Sequence, residues 1–329
     1  MELKRTLKNK KILITGNTGF KGSWLSLCLI TLGAKVYGFS DKIKTKPSIY
    51  QALDLKRKIK QNWGNISNYK SIDKTFSSVR PDIVFHLAAQ SLVFDSYEKP
   101  LTTFKTNILG TANVIELIYK YSIKSSVIIT SDKVYENFNL NRGYVETDRL
   151  MGVDPYSASK SAAEIVINSF NKSYYKRNVR ISITRAGNVI GGGDWGKDRI
   201  VPDAIDSWSK NNKLSIRNPN STRPWQHVLE PISGYLSLAH KLYSDNRLNG
   251  DNFNFGPEKT SNKTVKELIE GLSLRWGFDD VSESYYIKQT DEFHEAGLLQ
   301  LDCSKAKEKI DWLPNLSFEQ MINFSSDWY

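Results

Sequence analysis

Residues 12–22 read ILITGNTGFKG: an apolar run, then Gly16, Gly19 and Gly22, then the start of an apolar helical pattern. This order of strand, tight turn and helix constrains the chain more than any other feature. Glycine lets the backbone approach a diphosphate closely, and a helix start offers it unpaired N–H groups and the positive end of a dipole. The spacing G-x-x-G-x-x-G is one residue wider than the common dinucleotide fingerprint, and a turn serving chain reversal alone would also use glycine. The context favours a nucleotide. Lys35–Phe39 reads as a second strand, and Asp41 falls 19 positions after Gly22, where a carboxylate accepts a hydrogen bond from a ribose 2′-hydroxyl. Ser40 offers a similar acceptor, whereas Lys42 and Lys44 would attract a 2′-phosphate. The expected cofactor is NAD, with NADP left open.

The first half alternates strand and helix. Ile83–Leu87, Val127–Thr130 and Ile181–Arg185 read as buried strands. Ile108, Ala112, Ile115 and Ile118 predict one long helix over Pro100–Tyr121, and Asp154-Pro155 opens another over Tyr156–Tyr175. The predicted fold class is therefore α/β: a Rossmann-type doubly wound parallel sheet covered on both faces. After Arg185, a Gly191-Gly192-Gly193 run and scattered prolines break the pattern into shorter pieces, with helices expected at Lys263–Trp276 and Ser304–Ile310. Residues 1–186 are expected to form the dinucleotide-binding domain. Residues 187–329 would be mainly a smaller, mixed α/β substrate lobe, with some later elements returning to the sheet.

Composition excludes several classes. With 40% hydrophobic and 25% charged residues, the chain reads as a soluble globular protein, and no apolar run approaches the roughly 20 residues of a membrane span. The basic start MELKRTLKNKK lacks an apolar signal core. Cys28 and Cys303 follow no metal or disulfide spacing. A cytoplasmic protein without a metal is expected. The net charge of +11 raises the question of nucleic acid, but the lysines are scattered and no nucleic-acid motif is present. The positive field suits an anionic, nucleotide-bearing substrate instead.

The second strong signal is Tyr156-Ser-Ala-Ser-Lys160, which sets a phenol and an ammonium on one helical face. A cation favours tyrosinate, so the Tyr156 pKa is expected to fall, making it a base for an alcohol oxidised by a nicotinamide. Y-x-x-x-K is common by chance; its place beyond a fifth strand gives it weight. That strand ends in Thr130-Ser131-Asp132-Lys133-Val134-Tyr135. Ligands of open parallel sheets bind beyond the strands' carboxyl ends. A hydroxyl, a carboxylate and an amine in succession there are poorly explained by packing, although Asp132 also suits a turn cap.

Together these segments resemble the extended short-chain dehydrogenases/reductases, and among them the nucleotide-sugar 4,6-dehydratases of the NAD-dependent epimerase/dehydratase family. The resemblance covers nearly the whole chain: TGNTGFKGSWL, HLAAQSLV, NILGT, ITSDKVYEN, DPYSASK, AGNVIGGGDW, IVPDAI and RPWQHVLEPISGYL. The GGGDW and RPWQHVLEP blocks separate the chain from the epimerases and the dTDP-glucose enzymes. So does Asp132-Lys133, where the dTDP-glucose relatives carry Asp-Glu. The branch acting on CDP-glucose is the most similar; an epimerase, or a GDP- or dTDP-sugar dehydratase, is the alternative.

What the resemblance implies can be placed on this chain's residues. Tyr156 would take the proton from the sugar O4 while hydride leaves C4. Lys160 would hold the ribose and tune the tyrosine, and Ser131 would hydrogen-bond the O4 region. Lys133, as a neutral amine with a lowered pKa, would remove the C5 proton. Asp132 would protonate the departing C6 hydroxyl. Hydride would return to C6, so the cofactor is recycled and tightly enclosed. Gly16, Gly19, Phe20 and Gly22 would face the diphosphate, and Asn17 would also belong to the cofactor site. Asn65, with Ile66, stands where an aspartate commonly contacts adenine. Leu87, Ala88 and Ala89 would close the strand end against the cofactor. Asn107 would support the active site, with Arg185 and Asn188 toward the substrate and nicotinamide. Arg199, Arg223, Gln226 and His227 are candidates for holding the nucleotide diphosphate and base, since arginine suits a bidentate grip on phosphate; a solvated surface charge is the bland alternative for each arginine. Trp225 fits either core or a base-stacking platform. His294 and Glu295 fall where relatives close the nucleotide pocket. Asn17 replaces a usual histidine, Phe94 a usual arginine, and the stretch 138–142 lacks the branch's tryptophans. Relatives pair through the helices expected at 100–121 and 156–175, so a homodimer or dimer of dimers is expected.

Overall fold

Seven short segments form one sheet. They are β1 (Lys11–Thr15), β2 (Lys35–Ser40), β3 (Lys60–Trp63), β4 (Ile83–His86), β5 (Ser125–Ile129), β6 (Ile181–Ala186) and a seventh strand, Asn252–Phe255. The computed structural model describes residues 2–174, 178–258, 262–288 and 299–329. All neighbouring strands run parallel, in the spatial order seventh, β6, β5, β4, β1, β2, β3. Strand order therefore reverses between β1 and β4, the switch point at which such sheets open a crevice.

Successive strand residues point to opposite faces, and the core divides accordingly. Ile12, Ile14, Ile83, Phe85, Val127 and Ile129 pack with the helices Phe20–Thr31 and Leu229–Ser244. Leu13, Val84, Ile128, Ile181 and Ile183 pack with Tyr69–Val79, Gly110–Lys120 and Pro155–Ser173 on the other face. Every residue of β4, β5 and β6 is buried, as expected of central strands covered on both faces. The doubly wound parallel sheet is thus present as expected.

Element boundaries differ in instructive places. The helix expected over 100–121 is three pieces: an α segment Pro100–Phe104, a π-helical turn Lys105–Leu109, and an α segment Gly110–Lys120. The helix expected from Tyr156 runs Pro155–Ser173, and Tyr175 lies outside the described residues. The helix expected at 263–276 starts at Val265, because Lys263–Thr264 pairs antiparallel with Thr222–Arg223. A third core holds the smaller lobe together. It gathers Val201, Ile205 and Trp208 of the Ile200–Ser209 helix, Leu268, Ile269 and Leu272 of Val265–Trp276, and Met321 and Ile322 of Phe318–Ser326. Chain from this second half also rejoins the first, through the Leu229–Ser244 helix and the seventh strand. Among the described residues no helix is long and apolar enough to cross a membrane.

Candidate active site

At the switch point β1 runs into Gly16, whose φ of +75° is a left-handed conformation that glycine adopts readily. Its N–H donates to the Phe39 carbonyl (2.8 Å). A Cβ on Gly16 would stand 2.7 Å from the Ala88 nitrogen, and one on Gly22 would overlap the Gly16 carbonyl. The turn is therefore pressed against the end of β4, and the Phe20–Thr31 helix is pressed against the turn. Gly19 is that helix's N-cap and brings no capping side chain. A backbone-lined cradle at a helix start fits the diphosphate of a dinucleotide. Leu87 and Ala88 close its far wall by donating to the Thr15 carbonyl (3.0 Å) and hydroxyl (3.3 Å). Ala89 follows half-buried, as is Phe20.

The other expected cofactor residues are placed unevenly. Asn17 is wholly buried; its amide donates to Gln61 Oε1 (2.6 Å) and accepts from Ser40 Oγ (2.9 Å). Its side chain fastens the turn to β2 and β3. Asp41 stands exposed at the end of β2. Asn65 is exposed and its Oδ1 accepts from Ser67 N (2.8 Å), a local turn bond. Ile66 is core, with its Cδ1 2.7 Å from where a Cβ on Gly110 would lie.

The catalytic candidates converge beyond β5. Asp154 caps the next helix by accepting from Ser157 N (3.0 Å), and Pro155 occupies the first turn. This sets Tyr156 at the helix start, where its own N–H donates to Ser96 Oγ (3.2 Å). The Tyr156 hydroxyl lies by Ser131, which favours its charged form. Ser131 Oγ donates to Asp132 Oδ1 (3.0 Å) and accepts from Lys133 N (3.3 Å), capping the single turn Asp132–Val134. Asp132 is buried, its carboxylate lies against Gly187, and its Oδ2 has no hydrogen-bond partner. Lys133, by contrast, is exposed.

The expected fall of the Tyr156 pKa is not what the structure gives. Burial pushes the phenol up to about 12, and Ser131 and the Arg199 charge offset only part of that rise. Lys160 does not counter it, because its Nζ donates to the Ile129 carbonyl (3.2 Å). Lys160 is itself pushed down to about 8 by burial and then by the charge of Lys21. Lys21 is likewise held at about 8, by burial and by Arg199. Sequence reasoning passed over Lys21, although it lies inside the glycine turn motif; it is half-buried and its charge interacts with those of Asp132 and Asp194.

Two buried networks hold this constellation. Arg185, expected toward the substrate, is 1% exposed. Its guanidinium donates to Glu164 (Nε to Oε1, 3.0 Å), to the Tyr135 hydroxyl (2.7 Å) and to the Glu146 carbonyl (3.1 Å). Glu164 also accepts from Thr130 Oγ1 (2.6 Å), one residue before Ser131. The ion pair thus ties β5, β6 and the Tyr156 helix together. In the second network Asn107, in the π turn, accepts from Gln90 N (2.8 Å) and donates to Gln90 O (2.9 Å) and Ser159 Oγ (2.8 Å). Single π turns often sit at functional sites.

The substrate candidates divide. Asn188 is half-buried at φ +39°, and its carbonyl accepts from Gln226 N (3.2 Å). Arg199 pairs with Asp194 (2.9 Å) and remains about a third exposed. Arg223 is half-buried and donates to the Thr222 carbonyl (3.1 Å). Gln226 and His227 turn inward instead: Gln226 Nε2 donates to the Gly187 and Phe255 carbonyls (2.9 Å each), and His227 is 2% exposed with Nδ1 accepting from Leu229 N (3.3 Å). Trp225 is core, its Nε1 donating to the Lys263 carbonyl (3.0 Å). His294 and Glu295 lie outside the described residues.

The family model described as GDP-mannose 4,6 dehydratase matches residues 13–324. A CDP-glucose 4,6-dehydratase of Salmonella typhimurium is 40% identical, covering 98% of this chain and 91% of that protein. Among solved structures, a UDP-glucose 4-epimerase of Thermotoga maritima with UDP-glucose superposes with a TM-score of 0.85 at 25% identity, over 97% and 98% of the two chains. A dTDP-glucose 4,6-dehydratase of Bacillus anthracis in complex with NAD shares the fold, with a TM-score of 0.83 at 22% identity over 97% and 96% of the chains.

Proposed function

The chain belongs to the GDP-mannose 4,6 dehydratase family, and from that premise we propose that it converts CDP-glucose to CDP-4-keto-6-deoxyglucose and water in the cytoplasm, with NAD held tightly and recycled. One observation carries the reading: Tyr156 and the buried Asp132 carboxylate lie by Ser131 at the carboxyl end of β5, with Lys133 next in sequence, beside a cradle shaped for a diphosphate. Epimerisation needs a base at O4 but no acid–base pair at C5 and C6. The succession Asp132-Lys133 therefore favours dehydration.

Bound NAD supplies the hydride acceptor for C4 and, once reduced, the donor for C6. Tyr156 takes the O4 proton, with Ser131 steering the phenol. Lys133 takes the C5 proton, made acidic by the new C4 ketone, and the substrate's hexose covers this otherwise exposed amine. Asp132 delivers a proton to the departing C6 hydroxyl from Oδ2, the oxygen left without a partner. Lys133 then returns a proton to C5. Arg199 and Arg223 grip the nucleotide diphosphate. Residues 1–186 serve mainly the dinucleotide and 187–329 mainly the sugar nucleotide. The protein works as a homodimer, through the helices carrying the exposed Leu101, Leu109 and Ile165.

The test is incubation of the NAD-loaded protein with CDP-, dTDP-, UDP- and GDP-glucose, followed by mass measurement. Loss of one water from CDP-glucose is expected, and Lys133→Ala should abolish it. An isomer of unchanged mass would make the chain an epimerase. Water lost only from another nucleotide sugar would overturn the choice of CDP.

A further inference from the structure

The loop that carries Arg199 is held from outside as well as by its own Asp194 side chain. It follows the short strand Val189–Ile190 and contains Gly191 at φ +151° and Gly193 at φ +81°, which leaves its path free until something outside fixes it. Three aromatic residues from distant parts of the sequence supply that fixing. Trp24 Nε1, from the Phe20–Thr31 helix, donates to the Gly192 carbonyl (2.9 Å). Trp328 lies against Gly192, where any Cβ would overlap it, and packs on Trp24 with ring centroids 5.4 Å apart. The Tyr329 hydroxyl donates to the Asp194 carbonyl (2.7 Å), with the Gly191 carbonyl 3.3 Å away, and its ring meets Trp195 edge-on at 5.1 Å.

Asp194 connects this aromatic anchor to Arg199. Its carboxylate is almost fully buried and accepts from Gly196 N (3.1 Å) and Arg199 Nη1 (2.9 Å). Arg199 keeps part of its guanidinium open, and its charge interacts with Tyr156 and Lys21. We infer that Tyr329 is a positioning residue: its hydroxyl sets the Asp194 backbone, Asp194 sets Arg199, and Arg199 meets the diphosphate of the sugar nucleotide. This inference rests on the reading of Arg199 as a phosphate grip. Burial raises the Tyr329 pKa, which keeps the hydroxyl a donor at all working pH values.

The effect belongs to ground-state binding, since the chemistry at C4, C5 and C6 is carried elsewhere. The test measures Kd for CDP by titration calorimetry, and KM and kcat for CDP-glucose, in the NAD-loaded protein. Tyr329→Phe keeps the ring and removes one hydrogen bond, so Kd and KM should rise about fivefold with kcat and the melting temperature nearly unchanged. Arg199→Lys should raise both further. Because Tyr329 acts through Arg199, the double variant should be no worse than Arg199→Lys alone. If Arg199→Lys weakens CDP and Tyr329→Phe does not, the inference fails and the phosphate grip stands. If Arg199→Lys leaves Kd unchanged, the grip fails and takes the inference with it. If Tyr329→Phe lowers the melting temperature and its effects add to those of Arg199→Lys, the tyrosine is structural only and the inference is overturned.

Discussion

At Tyr156 burial dominates, and the charges of Asp132 and Asp154 push the same way, against Ser131 and Arg199. The phenol is enclosed, its Lys160 neighbour on the helix points its ammonium at the Ile129 carbonyl, and the pKa stands at about 12. A base that reluctant needs a substrate hydroxyl and the cofactor's charge beside it before it works. Tyr156→Phe should therefore leave the fold intact and cut turnover by about 100- to 10,000-fold, the range for a lost general base. Initial rates set beside thermal melts check this; near-normal turnover would remove Tyr156 from the mechanism. Two histidines make a separate prediction about stability. His86 sits between the Thr15 and Thr111 hydroxyls (2.6 and 3.0 Å) and is pushed down to about 3 by burial, and His227 to about 4. Both stay neutral when folded but bind protons near pH 6.5 when unfolded. Their stabilising share is complete above about pH 6.5. It is lost as the pH falls toward 4, at up to about 1.4 kcal/mol per pH unit for each. Urea midpoints between pH 7.5 and 5 should fall accordingly, and His86→Gln should flatten that fall by one proton's worth; an unchanged slope would contradict the assignment.

Elements were legible in the sequence where one rule governed them. The glycine turn, β1, β4, β5 and the capped helix at Asp154 follow from backbone sterics, two-sided burial and capping chemistry, all of them local. The seventh strand was not legible, because NFNF alternates amide with ring. Asn254 is tolerable inside the molecule only through remote partners: Tyr135 OH donates to its Oδ1 (2.8 Å), and its Nδ2 donates to the Tyr144 carbonyl (2.8 Å). The Leu229–Ser244 helix was hidden by Pro231, which reads as a breaker yet sits in the first turn, where no N–H is needed. Around the candidate site, Asn107 was read as a support and does bond Ser159 of the Tyr156 helix, but the role of Arg185 was not legible. Arg185 resembled a substrate ligand because nothing local reveals Glu164, 21 positions earlier. That pair gives an element-scale prediction. Glu164→Gln leaves Arg185 buried without a counter-charge and loosens Thr130, so unfolding free energy should drop by about 3–5 kcal/mol. Replacing Arg185 by Met as well should recover much of the stability, since no lone charge then stays buried. Chemical denaturation of the three variants decides it; a single variant as stable as the parent would show that the pair is not the tie between β5, β6 and the catalytic helix.

Over the whole molecule, the helix after the glycine turn meets the later half of the chain, with Trp24 Nε1 donating to the Gly192 carbonyl and the Lys21 charge interacting with that of Arg199. A third contact surface is implied by what remains uncovered. Leu101 is 81% exposed, Leu109 59% and Ile165 61%. They lie on segments that pack side by side, Pro100–Phe104 and the π turn against Pro155–Ser173. Apolar side chains gathered this way call for a partner, and a second copy of the same pair of helices would complete a four-helix contact with isologous symmetry. The surface is tied to the catalytic centre. Asn107 lies between Leu101 and Leu109 in sequence and bonds Ser159, three residues after Tyr156. Charging the surface with Leu109→Glu and Ile165→Glu should thus yield a monomer in sedimentation velocity and lower turnover per site, because the π turn loses the support that keeps Asn107 on the catalytic helix. A parent protein that already sediments as a monomer at micromolar concentration rules out the dimer. A monomeric variant with unchanged turnover keeps the dimer but severs it from catalysis.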